Sequence, residues 1–182
     1  MASIDSQPIA QVVSDHLRDI PDFPEPGVAF KDFTPLLADG PALRAVVRDI
    51  AGRHAGKIDV VVGIEARGFI LGAAVAYKLG CGFVAARKPG KLPYLTVGAK
   101  YALEYGFDAL EMHVDALKPG TRVLVHDDLL ATGGTARAKI DLVEQLGAEV
   151  VGVAFVVELT FLNGRDKLYG HDIHSLIQYE AP

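Results

Sequence analysis

Hydrophobic residues recur along this chain with two periods, and their alternation predicts alternating helices and strands. Ile9, Val12, Val13, Leu17 and Ile20 fall at helical spacing, with Ser6 as a candidate cap and Pro21 as the stop. A first amphipathic helix is expected there. From Pro21 to Pro41 turn formers are dense, yet Phe23, Phe30, Phe33, Leu36 and Leu37 lie among them, which predicts an ordered aromatic loop rather than a linker. Pro41 opens a second helix with Leu43, Val46, Val47 and Ile50 inward and Gly56 just past its end. Asp59–Ile64 reads as a buried strand, Phe69–Leu79 as a helix closed by Gly80, and Gly82–Ala86 as a second strand. Together they form one βαβ unit with Glu65-Ala66-Arg67-Gly68 at its first turn.

The next stretch, Arg87–Tyr94, holds three cations close together while Pro89, Gly90 and Pro93 prevent regular structure, so it reads as a mobile basic loop. Tyr101, Leu103 and Tyr105 alternate with Ala102 and Glu104; Leu110, Met112 and Val114 alternate after Gly106-Phe107-Asp108. The pattern predicts a β-hairpin. Lys118-Pro119-Gly120 then turns the chain into an apolar run, Val123-Leu124-Val125, that leads to Asp127 and Asp128. Thr132-Gly133-Gly134-Thr135 follows, and then a helix with Ile140, Val143 and Leu146 on one face, ending at Gly147. Val150–Val157 predicts a long strand, Glu158–Tyr169 a loop, and Ser175–Tyr179 a terminal strand. The order implies an α/β fold, a central mostly parallel sheet flanked by helices.

Composition narrows this picture. A chain of 182 residues, half of them hydrophobic, is expected to be one ordered domain. No apolar run approaches a membrane span, and Met1–Gln11 lacks the regions of a signal peptide, so a cytoplasmic protein is expected. The single cysteine, Cys81, reads as core packing and agrees with a reducing compartment. A net charge of -5 argues against broad nucleic-acid binding.

The chemistry concentrates at Arg122–Ala136. In an open parallel sheet a ligand lies beyond the carboxyl ends of the strands. A helix starting near Thr135 turns its unpaired amides and positive dipole end toward the preceding loop, which suits a phosphate. Gly133 and Gly134 allow close backbone approach, and Thr132 and Thr135 add hydroxyl donors. Asp127 and Asp128, taken alone, are a solvated strand end with one acid capping the turn. Beside a phosphate loop they suit sugar hydroxyls or, indirectly, Mg²⁺. Arg87, Lys88 and Lys91 alone would be a solvated charge run; lying beyond strand ends with Arg67, they suit a second anion. Spacing points to a phosphorylated sugar carrying a second anionic group.

Val123–Thr135 resembles the phosphoribosyl-pyrophosphate motif of type I phosphoribosyltransferases. Phe23–Asp32, Glu65–Phe69, Arg87–Pro93, Leu103–Gly106 and Val157–Thr160 are similar, in order and spacing, to the adenine phosphoribosyltransferase family. The resemblance implies a single domain over residues 1–182, with a small hood from about 1–40 and 158–182. It implies that Ala131, Thr132, Gly133, Gly134 and Thr135 cradle the 5′-phosphate and that Asp127 and Asp128 accept from the ribose hydroxyls. Arg67, Arg87, Lys88 and Lys91 would surround the pyrophosphate with Mg²⁺, and Tyr105 would contact phosphate or a partner subunit. Phe30 would stack on the purine, the Ala29 carbonyl and Lys31 amide would read its edge, and Leu159 would close the other side. Glu104 would be the catalytic residue, exchanging a proton with N7 while N9 attacks the anomeric carbon.

The implied reaction joins adenine and phosphoribosyl pyrophosphate into AMP and pyrophosphate, in a homodimer. Two rivals stand beside it: an enzyme for another base such as xanthine, and a regulator that senses phosphoribosyl pyrophosphate without catalysis. His126 departs from the family pattern, which usually has an apolar residue there; a lone strand histidine reads as a hydrogen-bonded core residue. The family often has a cis non-proline peptide in the pyrophosphate loop, and Glu65–Ala66 is the expected place.

Overall fold

The structure, a computed structural model, describes residues 4–23, 25–27, 29–102 and 107–181. Its elements are α1 (Ile9–Asp15), β1 (Arg18–Ile20), β2 (Phe30–Asp32), α2 (Thr34–Ala38), α3 (Gly40–His54), β3 (Val60–Ile64) and α4 (Arg67–Leu79). There follow β4 (Gly82–Ala86), β5 (Thr96–Ala102), β6 (Phe107–His113), β7 (Arg122–Leu130), α5 (Gly134–Gln145), β8 (Glu149–Leu159) and β9 (Ile173–Tyr179). Five strands pair in parallel in the order β4-β3-β7-β8-β9.

Successive side chains of a strand point to opposite faces, so an unbroken apolar run is buried only when both faces are covered. In β3, Val61 belongs to one core and Val62 to the other; in β7, Leu124 opposes Val123 and Val125; in β8, Ala154 and Val156 oppose Val153 and Phe155. The first core lies under α1, α3 and α4, and the second under α5 and the β5–β6 hairpin. From β3 the chain passes through α4 outward to β4, whereas from β7 it passes through α5 to β8 in the opposite direction. Right-handed crossovers in opposite directions put the two helices on opposite faces. A crevice therefore opens between the carboxyl ends of β3 and β7, the switch point at which such sheets bind ligands.

Several boundaries differ from the sequence expectation. The first helix stops at Asp15, because Arg18–Ile20 pairs antiparallel with Phe30–Asp32 and Arg18 donates to Asp32 at 2.7 Å. Ser6 closes a short 3₁₀ turn, and the residue capping α1 is Pro8. Thus the aromatic loop contains a strand and a short helix. In the hairpin Ala102 faces Phe107, so Phe107 and Asp108 belong to β6 rather than to the turn. Asp127 and Asp128 lie within β7, which continues to Leu130 because Leu129 and Leu130 still pair with Val157 and Glu158. β8 likewise extends through Glu158 and Leu159, and the segment beyond it holds two 3₁₀ turns, Thr160–Leu162 and Gly164–Leu168. No helix among the described residues is long and apolar enough to cross a membrane.

Candidate active site

The crevice encloses a cavity of about 270 Å³, lined by Ile64–Arg67 at the end of β3 and by the stretch from Asp127 to Ala136. Gly133, in that lining, packs backbone on backbone against Gly164. Gly133 adopts φ +78°, and a side chain there would run into the Gly164 carbonyl; one on Gly164 would run into the Ala131 carbonyl. Neither position has room for a Cβ. Gly133 is the cap residue of α5, which has no side-chain cap bond and no acid in its first turn. The orphan amides and positive dipole end of α5 are left for an anion in the loop.

The two acids have different partners. Asp127 Oδ2 accepts from the Lys139 ammonium at 2.9 Å, and its Oδ1 accepts from the Asp128 amide at 2.9 Å. Gly68, in the first turn of α4, allows that turn to press against Asp127, since a Cβ there would lie 3.1 Å from Oδ1. Burial pushes the Asp127 carboxyl up, but Lys139 and these hydrogen bonds prevail and hold it below the usual range. Asp128 is pushed up to about 7 by burial and by the neighbouring Asp127, against the pull of Arg67, whose Nε lies 3.0 Å from Oδ2. Of the two, Asp127 is the one held toward its ionised form and Asp128 the one pushed toward its protonated form.

His126 is fully buried; its Nδ1–H donates to the Ala154 carbonyl at 3.0 Å, which places the ring proton there and leaves buried Nε2 without a partner. Burial lowers its pKa to about 4, so the ring is neutral and belongs to the core, as a lone strand histidine should.

Arg67 joins the acids to the aromatic segment. Its guanidinium lies 4.9 Å from the centroid of the half-buried Phe30 ring and 5.8 Å from that of Phe33. Phe23 meets Phe30 edge-on at 5.1 Å. The Lys31 ammonium sits 2.8 Å from Asp19 and 4.3 Å from the Tyr179 ring centroid, and Tyr179 pairs with Leu159 across β8 and β9. Phe30 thus lies against Arg67, and Lys31 and Leu159 against Tyr179; these residues and Ala29 are not in the lining of the cavity.

Arg87 has a partner that sequence reasoning did not give it. Glu65 Oε2 accepts from Arg87 Nε at 2.7 Å and from its Nη2 at 2.5 Å, while Oε1 accepts from the Lys88 amide at 3.0 Å. The Lys88 amide bond first, and Arg87 with it, keep the Glu65 carboxyl below its ordinary value. Arg87 also donates to the Lys91 carbonyl at 3.0 Å, so Glu65 ties the basic loop to the first turn. The side chains of Lys88 and Lys91 are exposed. The Glu65–Ala66 peptide is cis, as expected. Glu104 and Tyr105 lie outside the described residues. Glu65, Lys139 and Gly164 were given no role by the sequence; Glu65 carried a signal as part of the turn after β3, Lys139 as a charge on the inward face of a helix, and Gly164 none.

Fold and crevice together define a phosphoribosyltransferase: residues 36–174 match the phosphoribosyl transferase domain family. The sequence is 59% identical over 170 residues to the adenine phosphoribosyltransferase of Clostridium perfringens, covering 93% of this chain and 99% of that relative. The structure resembles the crystal structure of adenine phosphoribosyltransferase from Thermoanaerobacter pseudethanolicus with a TM-score of 0.91 and 51% identity, over 93% of this chain and 99% of that one. It also resembles the Saccharomyces cerevisiae enzyme complexed with an imino-altritol bisphosphate and adenine, with a TM-score of 0.89 and 38% identity, over 93% and 98% of the two chains. The chain belongs to the adenine phosphoribosyltransferase family.

Proposed function

We propose that the crevice is a three-part site in which the 5-phosphoribosyl group of phosphoribosyl pyrophosphate passes to N9 of adenine, giving AMP and pyrophosphate. One observation carries this: an uncapped helix end and a buried acid pair share one cavity at the switch point, with Arg67 leading from Asp128 to Phe30. Ala131–Thr135 hold the 5′-phosphate, and Asp127 and Asp128 accept from the ribose hydroxyls. Arg67, Arg87, Lys88 and Lys91 take the pyrophosphate, and Tyr105 adds a contact to phosphate or to a partner subunit. N9 attacks the anomeric carbon as its bond to the pyrophosphate oxygen breaks and pyrophosphate leaves with the electron pair. Glu104 exchanges a proton with N7 as this happens.

The base lies on Phe30, closed on its far side by Leu159. The Ala29 carbonyl accepts from the amino group on C6, and the Lys31 amide donates to the ring edge. An oxo group would set acceptor against acceptor, and the desolvation cost would reject hypoxanthine. The adenine bound in the yeast relative supports this choice.

Mg²⁺ fits as a companion of the substrate. Each carboxylate at the cavity is engaged by a cation: Glu65 by Arg87, Asp127 by Lys139, Asp128 by Arg67. Among the described residues no group of three or more acidic, histidine or cysteine side chains is arranged to hold a metal. Magnesium takes phosphate oxygens and water readily, and bound through phosphoribosyl pyrophosphate it would neutralise charge on the leaving group. The enzyme works in purine salvage in the cytoplasm as a homodimer, with one catalytic domain over 1–182 and a hood from about 1–40 and 158–182. The β1–β2 pair within the first segment, and the Lys31–Tyr179 contact, which joins the first segment to the second, support the hood.

Asp128 gives this reading a pH signature. Its carboxyl is acceptor-only and the stronger acceptor when ionised, whereas protonation weakens it and adds a donor, so affinity for phosphoribosyl pyrophosphate should fall as pH drops through about 7. Calorimetric titration between about pH 6 and about pH 8 should show the fall, and Asp128→Asn should flatten it, leaving only the ligand's own protonation. An unchanged slope in the variant would take Asp128 out of the sugar site. Asp127→Asn should weaken phosphoribosyl pyrophosphate binding by about tenfold to a hundredfold for every base, with base preference unchanged.

A further inference from the structure

We propose that Lys139 is a positioning residue for the sugar: from inside the core it holds the Asp127 carboxylate in one pose, so that Asp127 meets the ribose hydroxyl ready to accept. The inference rests on the reading of Asp127 as a ribose acceptor.

Lys139 has no solvent exposure and projects from the second turn of α5 toward the end of β7. Its ammonium donates to Asp127 Oδ2 at 2.9 Å and to the His126 carbonyl at 3.2 Å, gripping both the side chain and the strand that carries it. The Asp128 amide holds the other carboxylate oxygen at 2.9 Å. Both oxygens are thus fixed while Asp127 lines the cavity, and their remaining lone pairs are available to a ligand. A buried ion pair adds little net stability compared with apolar residues of the same shape, so stability does not explain why a lysine stands here. A fixed pose does.

Two contrasts sharpen the role. Asp128 is paired with Arg67, which is 40% exposed and stands at the mouth, where a second anion can share it. Lys139 is sealed off from any ligand, so the partner of Asp127 does not change on loading. Lys139 also belongs to the helix whose first turn cradles the phosphate. One rigid element therefore sets both the phosphate end and the hydroxyl acceptor, and with them the distance between the two.

The test measures phosphoribosyl pyrophosphate and inorganic pyrophosphate separately, both with magnesium, by calorimetry on the full chain. Lys139→Met should weaken phosphoribosyl pyrophosphate binding on the order of tenfold to a hundredfold, as misplacement of a contact group by about 1 Å does. Pyrophosphate, which has no ribose, should bind within about twofold of wild type. If the methionine variant does not fold, Lys139→Gln keeps a donor group without the charge, and the same selective loss is expected at smaller size. Equal weakening of both ligands, or weakening of neither, overturns the proposal. Asp127→Asn is measured alongside: if it leaves phosphoribosyl pyrophosphate affinity intact, the assigned role of Asp127 fails and Lys139's falls with it. If it weakens binding while Lys139 variants do not, only the Lys139 inference is wrong.

Discussion

Gly133→Val should cut kcat/KM for phosphoribosyl pyrophosphate at least about a hundredfold with every base, while the preferred base stays the same. Gly133 sits at φ +78°, a left-handed conformation that costs an L-residue roughly 1–2 kcal/mol, and more for a β-branched one. The larger penalty is spatial. The new Cβ would run into the Gly164 carbonyl, which is main chain and cannot rotate aside, and Gly164 is itself pressed against the Ala131 carbonyl. The loop must move, and the amides at the start of α5 move with it, away from where the phosphate is held. Gly133→Ala meets the same clash with less bulk and should fall between wild type and valine. Thermal melting would establish that the variant is folded, and calorimetry would give its affinity. Wild-type affinity in a folded valine variant would show that the cradle lies elsewhere.

Glu104→Ala should lose on the order of a hundredfold to ten-thousandfold in kcat, the usual share of a general acid or base, with phosphoribosyl pyrophosphate binding retained. The two effects separate because, in the proposed site, the helix end, the acids and the cations bind phosphoribosyl pyrophosphate, while Glu104 acts on the base. The hairpin strand β6 is tied to the end of β4 by the pairing of Glu111 with Arg87, the residue that Glu65 holds beside the cavity. Stopped-flow turnover and equilibrium binding on one preparation would check it. Unchanged turnover would remove Glu104 from catalysis, whereas loss of both turnover and binding would make it a structural residue of the hairpin. A regulator that merely senses phosphoribosyl pyrophosphate would be indifferent to Glu104→Ala.

Most of this architecture was legible in the sequence because its signals are local. The βαβ unit was bounded by Asp59, Gly80 and Gly82, and the left-handed Gly80 does end α4. The strand, acid pair, glycine loop and helix of 122–136 follow one another in the chain, so periodicity exposed them in order. What periodicity could not give was pairing between distant stretches. Arg18–Ile20 continued a helical pattern, and only its antiparallel partner 30–32 makes it a strand. Asp127 and Asp128 read as a strand end because unpaired charges are rarely buried; here Lys139 and Arg67 pair with them, and β7 goes on to Leu130. The bond from Arg87 to Glu65 spans 22 residues, and Gly164 reaches Gly133 across a loop that had no recognisable pattern. Lys139 was readable in principle, since it falls on the same helical face as Ala136 and Val143.

The central claim is that the base end of this site reads adenine through an acceptor set against an amino group. It is tested most directly by a spectrophotometric panel of adenine, hypoxanthine, xanthine, guanine and orotate, each with phosphoribosyl pyrophosphate and magnesium. Adenine should be converted to AMP with a kcat/KM far above that of the other four. A clear preference for any other base would contradict the proposed roles of Ala29 and Lys31 and the reaction built on them.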